Sequence, residues 1–357
     1  MRSLVYIFGL FLFVGPTSLE SQNDTVKFEK EDISITTRDV INIPGVIEYS
    51  NTGKRMPAAI LIWGNGPHTR DQEISKTPMF KIISRHLVNN GFLVMRLDKR
   101  GFGKSSIKYP SSESDYTTID LKNDIDTAIN YLKTHSKVDT TKIGLIGHSE
   151  GAMIAAMLAS ENKVSWNIQI GSVGVSGKEI FLEQRKRNIK RLGIPDSTSV
   201  NIRRVFSKYV DFINRDFTND SIHYTLGKEF LIAHGLNEDD KRITPKFIDQ
   251  LLDGFRNKWN QCFFGLDMRT YQSKITIPTL IVMGNYDNQV TVDQNITELN
   301  KSLLEAGNKN YEIKILSESD HFFLTHNNLR LEKHKPEEMN VSRSLLNSII
   351  DFLKNYN

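Results

Sequence analysis

A serine between two glycines is the residue of this chain whose setting best fits covalent chemistry. The segment GHSEG at residues 147–151 has the form G-x-S-x-G, which is the sequence pattern of a nucleophile elbow. The apolar run at residues 142–146 predicts a buried strand, and the small, apolar residues 152–159 predict a helix. Ser149 is therefore expected on a strained turn between strand and helix, with its hydroxyl raised above a sheet.

A serine hydroxyl needs a base to take its proton, and the base needs an acid to orient it. Asp287 stands in a loop after the apolar run at residues 279–283, and His321 stands after the next such run, at residues 311–316. The order Ser, Asp, His, each past the end of a strand, is an established order for a catalytic triad. We therefore predict that Ser149, Asp287 and His321 act together.

Each triad partner has an alternative. Asp287 is also suited to a turn or to capping the following helix. Asp293 is the reserve acid, although its position favours the first turn of that helix. His326 competes with His321 as the base. His148, beside the serine, is expected to point away from it and to serve packing or hydrogen bonding within the elbow.

The negative charge that develops on an acyl oxygen needs prearranged backbone donors. The first is predicted to be the N–H of Glu150, at the start of the helix after the nucleophile. The second is expected from the GNGP loop after a strand predicted over residues 58–63. Pro67 has no N–H, so Asn65 is the first choice and Gly66 the second. The alternative interpretation of this loop is a tight turn without a catalytic role.

Composition excludes several classes of function. The chain has 357 residues, 39% of them hydrophobic and 25% charged, with a formal net charge of +4. These values are typical of a globular protein and give no electrostatic support for nucleic-acid binding. Cys262 is the only cysteine, which excludes an internal disulfide and favours a small buried hydrophobe. No zinc-ligand spacing or phosphate-binding loop occurs, so neither a metal nor a cofactor is expected.

The first residues have the layout of a secretory signal peptide. A positive start, an apolar run at residues 4–14 and small residues at 15–18 follow one another. We predict a signal peptide over residues 1–21 and an exported protein, periplasmic or secreted, without stable membrane insertion after cleavage. A retained anchor or an internal apolar strand are the alternatives.

The rest of the chain predicts an α/β fold. Antiparallel strands are expected over residues 33–50, with a turn at Pro44-Gly45. Alternating strands and helices then predict a doubly wound, mostly parallel sheet covered on both faces. The strands are expected at residues 58–63, 92–97, 142–146, 167–175, 277–283 and 311–316, and the helices at 78–90, 118–133, after the elbow, 292–306 and 342–353. The core is assigned to residues 24–176 and 275–357.

Residues 177–274 are charge-rich and helix-like, which predicts an inserted helical cap. Its basic cluster at residues 185–191 is interpreted as a solvated helix face, with attraction of an anionic substrate as the alternative. Its later apolar residues, between 247 and 264, form either the core of the cap or the lining of a substrate pocket.

Three motifs resemble the α/β-hydrolase superfamily, specifically a bacterial esterase branch. They are GNGPHTRD at residues 64–71, DKRGFGKS at 98–105 and GHSEG at 147–151. The resemblance extends from about residue 33 to the end and is weakest in the cap. It implies the α/β-hydrolase fold and hydrolysis of carboxylic esters, although serine aminopeptidases and prolyl-oligopeptidase-like enzymes share the core. The turn at residues 98–105 is expected to be structural, with Asp98 or Arg100 tying loops together.

The leading hypothesis is an exported serine esterase that acts on a small-molecule ester through an acyl-enzyme on Ser149. A peptidase for short peptides is the first alternative, and it would need an acidic site in the cap for a free amine. The second alternative is a binding protein that kept the fold and lost activity. The oligomeric state stays open.

Overall fold

The computed structural model describes residues 28–51, 53–107, 115–326 and 339–354. The predicted signal peptide at residues 1–21 lies outside the described residues. The strands are, in chain order, β1 (Phe28–Thr36), β2 (Asn42–Ser50), β3 (Met56–Ile62), β4 (Glu73–Ile74), β5 (Thr77–Pro78), β6 (Leu93–Leu97), β7 (Val138–His148), β8 (Trp166–Ile170), β9 (Thr279–Gly284), β10 (Tyr311–Leu316), β11 (Leu324–His326) and β12 (Met339–Val341). The helices are α1 (Met79–Asn89), α2 (Thr118–Thr134), α3 (Glu150–Ser160), α4 (Gly177–Arg191), α5 (Asp196–Asp216), α6 (Asp220–Ala233), α7 (Pro245–Leu252), α8 (Lys258–Gly265), α9 (Arg269–Gln272), α10 (Val292–Glu305) and α11 (Arg343–Lys354).

One sheet of eight strands carries the fold, in the order β1-β2-β6-β3-β7-β8-β9-β10. Strand β2 pairs antiparallel with β1 and with β6, and every further neighbouring pair in the sheet is parallel. Strands β6, β8 and β9 are buried along their whole length, as parallel strands with both faces covered must be. The predicted fold class, a doubly wound and mostly parallel sheet, is confirmed.

Helix α2 illustrates how local sequence sets an element. Thr117 caps its first turn by accepting the N–H of Asp120, whose carboxylate accepts the N–H of Thr117 in return. The apolar face predicted for this helix, including Leu121, Ile125 and Ile129, is buried.

The predicted turn at Pro44-Gly45 is wrong. Strand β2 runs straight through both residues, and the chain reverses earlier, between β1 and β2, where Val40 N donates to Thr37 O. Gly45 is needed for a different reason: a Cβ there would lie 2.4 Å from the Leu97 side chain and 2.9 Å from the Arg96 carbonyl oxygen. The glycine allows β2 to approach β6 closely.

Helices α4 to α9 occupy the segment that the sequence assigns to a cap. Their apolar side chains join one cluster that also contains residues of α3, β9 and α10, among them Met153, Ile281 and Leu299 from the core and Phe206 and Phe264 from the cap segment. The cap segment is therefore packed directly onto the sheet and helices that carry the elbow.

Candidate active site

Ser149 lies on a sharp turn between β7 and α3. Its backbone has φ 55° and ψ −115°, a conformation that side chains rarely adopt and that requires support from its surroundings. Both flanking glycines are required by space: a Cβ on Gly147 would lie 2.0 Å from the Gly151 carbonyl oxygen, and one on Gly151 would lie 2.1 Å from the Ile62 carbonyl oxygen. Ser149 N donates to Ile170 O at 2.9 Å, which fastens the turn to β8.

Asp287 and His321 form a buried pair at the ends of β9 and β10. His321 Nδ1 donates to Asp287 Oδ2 at 2.7 Å, and both residues are 4% exposed. Asp287 Oδ1 accepts the backbone N–H groups of Gln289 and Val290, each at 2.8 Å. One oxygen of this carboxylate thus holds its own turn while the other faces the imidazole, so the turn role and the pairing with histidine occur together.

The reserve candidates Asp293 and His326 belong to other secondary-structure elements. Asp293 is in the first turn of α10, as its position in the sequence predicts. His326 is the last residue of β11, five residues beyond His321 along the chain. Among the described carboxylates, Asp287 is the one hydrogen-bonded to the His321 ring.

Asp287 and His321 lie beside the elbow at the carboxyl edge of the sheet. Gly171, which follows the residue that binds Ser149 N, has φ +62°, and a Cβ there would lie 3.2 Å from His321 Cε1 and 3.8 Å from Asp287 Oδ2. The rings of His148 and His321 have centroids 4.9 Å apart. The structure therefore brings the three predicted triad residues to one edge of the sheet.

A buried hydrogen-bond relay connects the GNGP loop to the backbone of His321. Gly64 N donates to Gln72 Oε1 at 2.8 Å, Gln72 Nε2 donates to His148 Nδ1 at 3.0 Å, and His148 Nε2 donates to His321 O at 2.8 Å. The carbonyl acceptor fixes the His148 tautomer, because only its Nε2 can carry the proton. Burial, with the neighbouring charge of His321 as a further cause, lowers the pKa of His148 to about 3.

The hydrogen-bonding role expected for His148 is confirmed, but its reach is greater than predicted. His148 lies in the elbow and also hydrogen-bonds to the backbone of His321, so it supports the loop that follows β10. Gln72 was not predicted at all, since a glutamine in a loop belongs to no motif. It meets His148 across 76 positions of sequence, a separation at which no periodic pattern operates.

The GNGP loop packs against the elbow. A Cβ on Gly64 would lie 3.4 Å from Ser149 Cβ. Among the described residues, no acceptor binds the backbone N–H of Asn65 or Gly66. The carbonyl oxygen of Asn65 accepts a hydrogen bond from His68 Nε2 at 2.9 Å. Both predicted loop donors are thus available to a ligand.

A buried ion pair contacts this loop through Lys99. Lys99 Nζ contacts Glu150 Oε2 at 3.3 Å, and their side chains are 1% and 2% exposed. Glu150 Oε1 accepts hydrogen bonds from Thr118 Oγ1 and Trp259 Nε1, each at 2.8 Å. The sequence predicts a role for Glu150 through its backbone N–H alone, and for Lys99 as part of a structural turn. The partner Trp259 comes from α8, in the cap segment, and stacks on Phe263.

The turn at residues 98–105 is structural, as expected. Asp98 accepts hydrogen bonds from the backbone N–H and the guanidinium of Arg70 and from Lys104 N. Burial alone would raise the pKa of Asp98, but these hydrogen bonds outweigh it and hold the pKa below its ordinary value. Arg100 bridges Asp39 and Asp124, as the expected role of tying loops together requires.

Nothing in the described part of the chain brings three His, Cys, Asp or Glu side chains together in a way that could hold a metal ion.

Comparison with known proteins gives one family and several relatives. The sequence model of the BD-FAE family matches residues 46–303. Esterase EstD of Thermotoga maritima is 24% identical over 305 residues, which are 85% of this chain and 62% of EstD. A proline iminopeptidase of Saccharolobus solfataricus is 29% identical over 214 residues, which are 58% of this chain and 64% of that enzyme. The chain thus spans less than two thirds of the length of these two relatives.

A solved structure shares the architecture. The Pyrococcus furiosus esterase Pf2001 superposes with a TM-score of 0.53 at 17% sequence identity, over 93% of this chain and 92% of that one. Together with the sheet order, this likeness confirms the α/β-hydrolase fold that the sequence motifs imply.

Proposed function

The chain belongs to the BD-FAE family of the α/β-hydrolase superfamily, and from that premise we propose that it hydrolyses carboxylic esters through an acyl-enzyme on Ser149. The observation that carries the proposal is the buried Asp287–His321 pair beside a serine on a strained turn. A base oriented by a carboxylate next to a partly exposed serine hydroxyl is the arrangement that activates serine as a nucleophile. The similarity to two esterases supports the choice of substrate class.

The reaction assigns one step to each group. Ser149 Oγ attacks the acyl carbon while His321 Nε2 takes its proton, and Asp287 stabilises the imidazolium through the Nδ1–H bond. The tetrahedral intermediate collapses, the bond to the alcohol oxygen breaks, and His321 returns the proton to that oxygen. Water then attacks the acyl-enzyme by the same route, which releases the acid and restores Ser149.

Two backbone amides would hold the oxyanion. The N–H of Glu150 is at the first position of α3, where the helix dipole favours negative charge. The N–H of Asn65 belongs to the loop that packs against Ser149. Donors of this kind are each worth on the order of 10²–10³ in turnover.

The test uses a fluorophosphonate probe and a series of p-nitrophenyl esters of rising acyl length. Wild type should be labelled and should turn over at least the short esters, whereas Ser149→Ala should do neither. Ser160→Ala is the matched control, because Ser160 lies at the far end of the same helix α3 and should leave both readouts unchanged. An unlabelled wild type, or a labelled Ser149→Ala variant, would overturn the proposal; the former result would favour the inactive binding protein.

Peptide hydrolysis is the second candidate, because a proline iminopeptidase is among the relatives. Recognition of a free amine calls for an unpaired carboxylate near the serine. The carboxylate of Glu150 is already bound by Lys99, Thr118 and Trp259, so it does not offer such a site. Comparison of p-nitrophenyl acetate with prolyl and alanyl p-nitroanilides separates the two activities, and preferential turnover of the anilides would favour the peptidase.

We further propose that the protein is exported. The support is the charged start and apolar run of residues 1–18. No helix of the described residues is long and apolar enough to cross a membrane. Mass spectrometry of the N-terminus after expression of the full chain tests the proposal: cleavage near residue 21 would support it, and an intact Met1 in the cytosolic fraction would contradict it.

A further inference from the structure

Lys99 hydrogen-bonds to two carbonyl groups of the GNGP loop. This lysine follows β6 by two positions, and its Nζ lies 3.2 Å from the carbonyl oxygen of Gly64 and 3.2 Å from that of Gly66. These two carbonyls flank Asn65, the predicted donor. A buried ammonium that makes two charge-assisted bonds to one loop restrains the orientation of the peptide units involved.

The restraint acts on Asn65 through the geometry of the peptide bond. The described chain contains no cis peptide, and in a planar trans peptide the C=O and the following N–H point in opposite directions. An ammonium bound to Gly64 O therefore directs the N–H of Asn65 away from Lys99. The second carbonyl, that of Gly66, precedes Pro67, which has no N–H to orient. Lys99 thus aims one donor while it anchors the loop at two points.

The same ammonium acts on the other predicted donor. The Glu150 carboxylate is buried and belongs to the residue whose N–H would face the oxyanion. Left unpaired, its negative charge would oppose the charge that develops on the acyl oxygen, and an uncompensated buried charge is strongly destabilising. The contact between Lys99 Nζ and Glu150 Oε2 at 3.3 Å removes that opposition.

We propose that Lys99 is a positioning residue of the oxyanion hole, which aims the Asn65 N–H by holding the Gly64 and Gly66 carbonyls and neutralises Glu150. The inference rests on the proposed ester hydrolysis and deepens it, because it names a residue outside the triad that fixes the orientation of Asn65, the first choice for the loop donor. In this role Lys99 acts through the loop and through Glu150, not by contact with the substrate or the reacting atoms. Its loss should therefore reduce turnover through the loop and leave the Ser149, His321 and Asp287 side chains in place.

Four variants separate the two roles of Lys99: Lys99→Met, Glu150→Gln, the double variant, and Lys104→Met as a control. Lys104 is exposed and belongs to the same turn, so its substitution should leave kcat unchanged. We expect Lys99→Met to lower kcat with p-nitrophenyl acetate by on the order of 10²-fold, the loss of about one oxyanion donor, with a much smaller change in KM. The kcat of the double variant should remain well below that of Glu150→Gln alone. Removing the carboxylate does not restore the two hydrogen bonds from residue 99 to the loop carbonyls.

The double variant decides the outcome even if Lys99→Met or Glu150→Gln alone folds poorly, since it buries no unpaired charge; its kcat is then compared with that of the wild type. Thermal unfolding of each variant verifies that it is folded at the assay temperature. A double variant as active as Glu150→Gln would show that Lys99 only balances charge and would overturn the proposal, as would an unchanged kcat in Lys99→Met. Failure of the proposed function appears differently, as a wild type that neither turns over esters nor reacts with the fluorophosphonate.

Discussion

Acidification should destabilise the folded chain through His148. In the fold its Nδ1 accepts a hydrogen bond from Gln72 Nε2, and its Nε2 donates to His321 O. Protonation of Nδ1 would place its N–H opposite the N–H of Gln72 Nε2. Two donors would then face each other without an acceptor, in a buried site that excludes water. Burial and the nearby charge of His321 accordingly lower the pKa of His148 to about 3, from an ordinary value of 6.5.

The sign and size of the effect follow from these two values. Between pH 6.5 and about pH 3 the unfolded chain binds a proton at this ring that the folded chain does not bind, so the free energy of unfolding falls as the pH falls. Each pH unit in this window removes about 1.4 kcal/mol. At pH 5, about 1.5 units below the unfolded value, roughly 2 kcal/mol is lost, a large share of the stability of a typical domain.

The assay is urea unfolding of wild type and His148→Gln at a series of pH values from about 8 to 5. Glutamine keeps one donor and one acceptor but does not titrate. Titratable groups that do not contact residue 148 contribute equally to both proteins, so the difference between the two curves reports mainly the titration of His148. Wild type should lose about 2 kcal/mol more than the variant over this range. Parallel curves would refute the assignment of a neutral, buried His148.

Two further predictions concern the acid–base pair. Asp287→Asn should lower kcat by about 10⁴-fold while the protein stays folded, because the amide favours the wrong tautomer of His321. Steady-state kinetics measure this loss, and a loss below tenfold would contradict a triad role for Asp287. Gly171→Ala should lower kcat on the order of tenfold, because its Cβ would lie 3.2 Å from His321 Cε1 and displace the ring. The same substitution should destabilise the fold by roughly 1–2 kcal/mol, because residue 171 has a positive φ. Gly307→Ala is the matched control, since Gly307 has φ +67° with open space around it; an equal loss of kcat in both variants would refute the steric argument.

The sequence predicted well those parts of the fold in which structure is local. Periodic apolar residues located the helices of the core and the parallel strands to within a few residues, because burial on one face leaves a repeating pattern. It failed at Pro44-Gly45, where a turn signal in fact serves close strand packing that depends on Leu97, more than 50 positions away. The exact end of β8 was also missed: the strand was expected to continue to residue 175 but ends at Ile170, where Gly171 turns into positive φ.

The residues of the candidate site likewise fall into two groups, those that a local sequence pattern identifies and those that it does not. Ser149, Asp287 and His321 follow strand ends in an order that sequence alone can recognise, and the structure brings them to one edge of the sheet. Gln72 and Lys99 contact the site through hydrogen bonds that join distant segments. Their residue types and local settings carry no mark of that role, because a buried polar side chain is defined by the partners that surround it.

The residues that sequence could not identify are those that make the GNGP loop rigid. Gly64 is held at its N–H by Gln72 and at its carbonyl by Lys99. A hydrogen bond at a buried site is stronger when every member of its network has a partner, and donors fixed before the reaction need no reorganisation during it. Because Gly64 is held at both its N–H and its C=O, the N–H of Asn65, which binds no acceptor among the described residues, has little freedom to turn away from the cleft. The orientation of the proposed oxyanion donors is therefore set by buried side chains outside the triad, and substitutions there should change turnover more than substrate affinity.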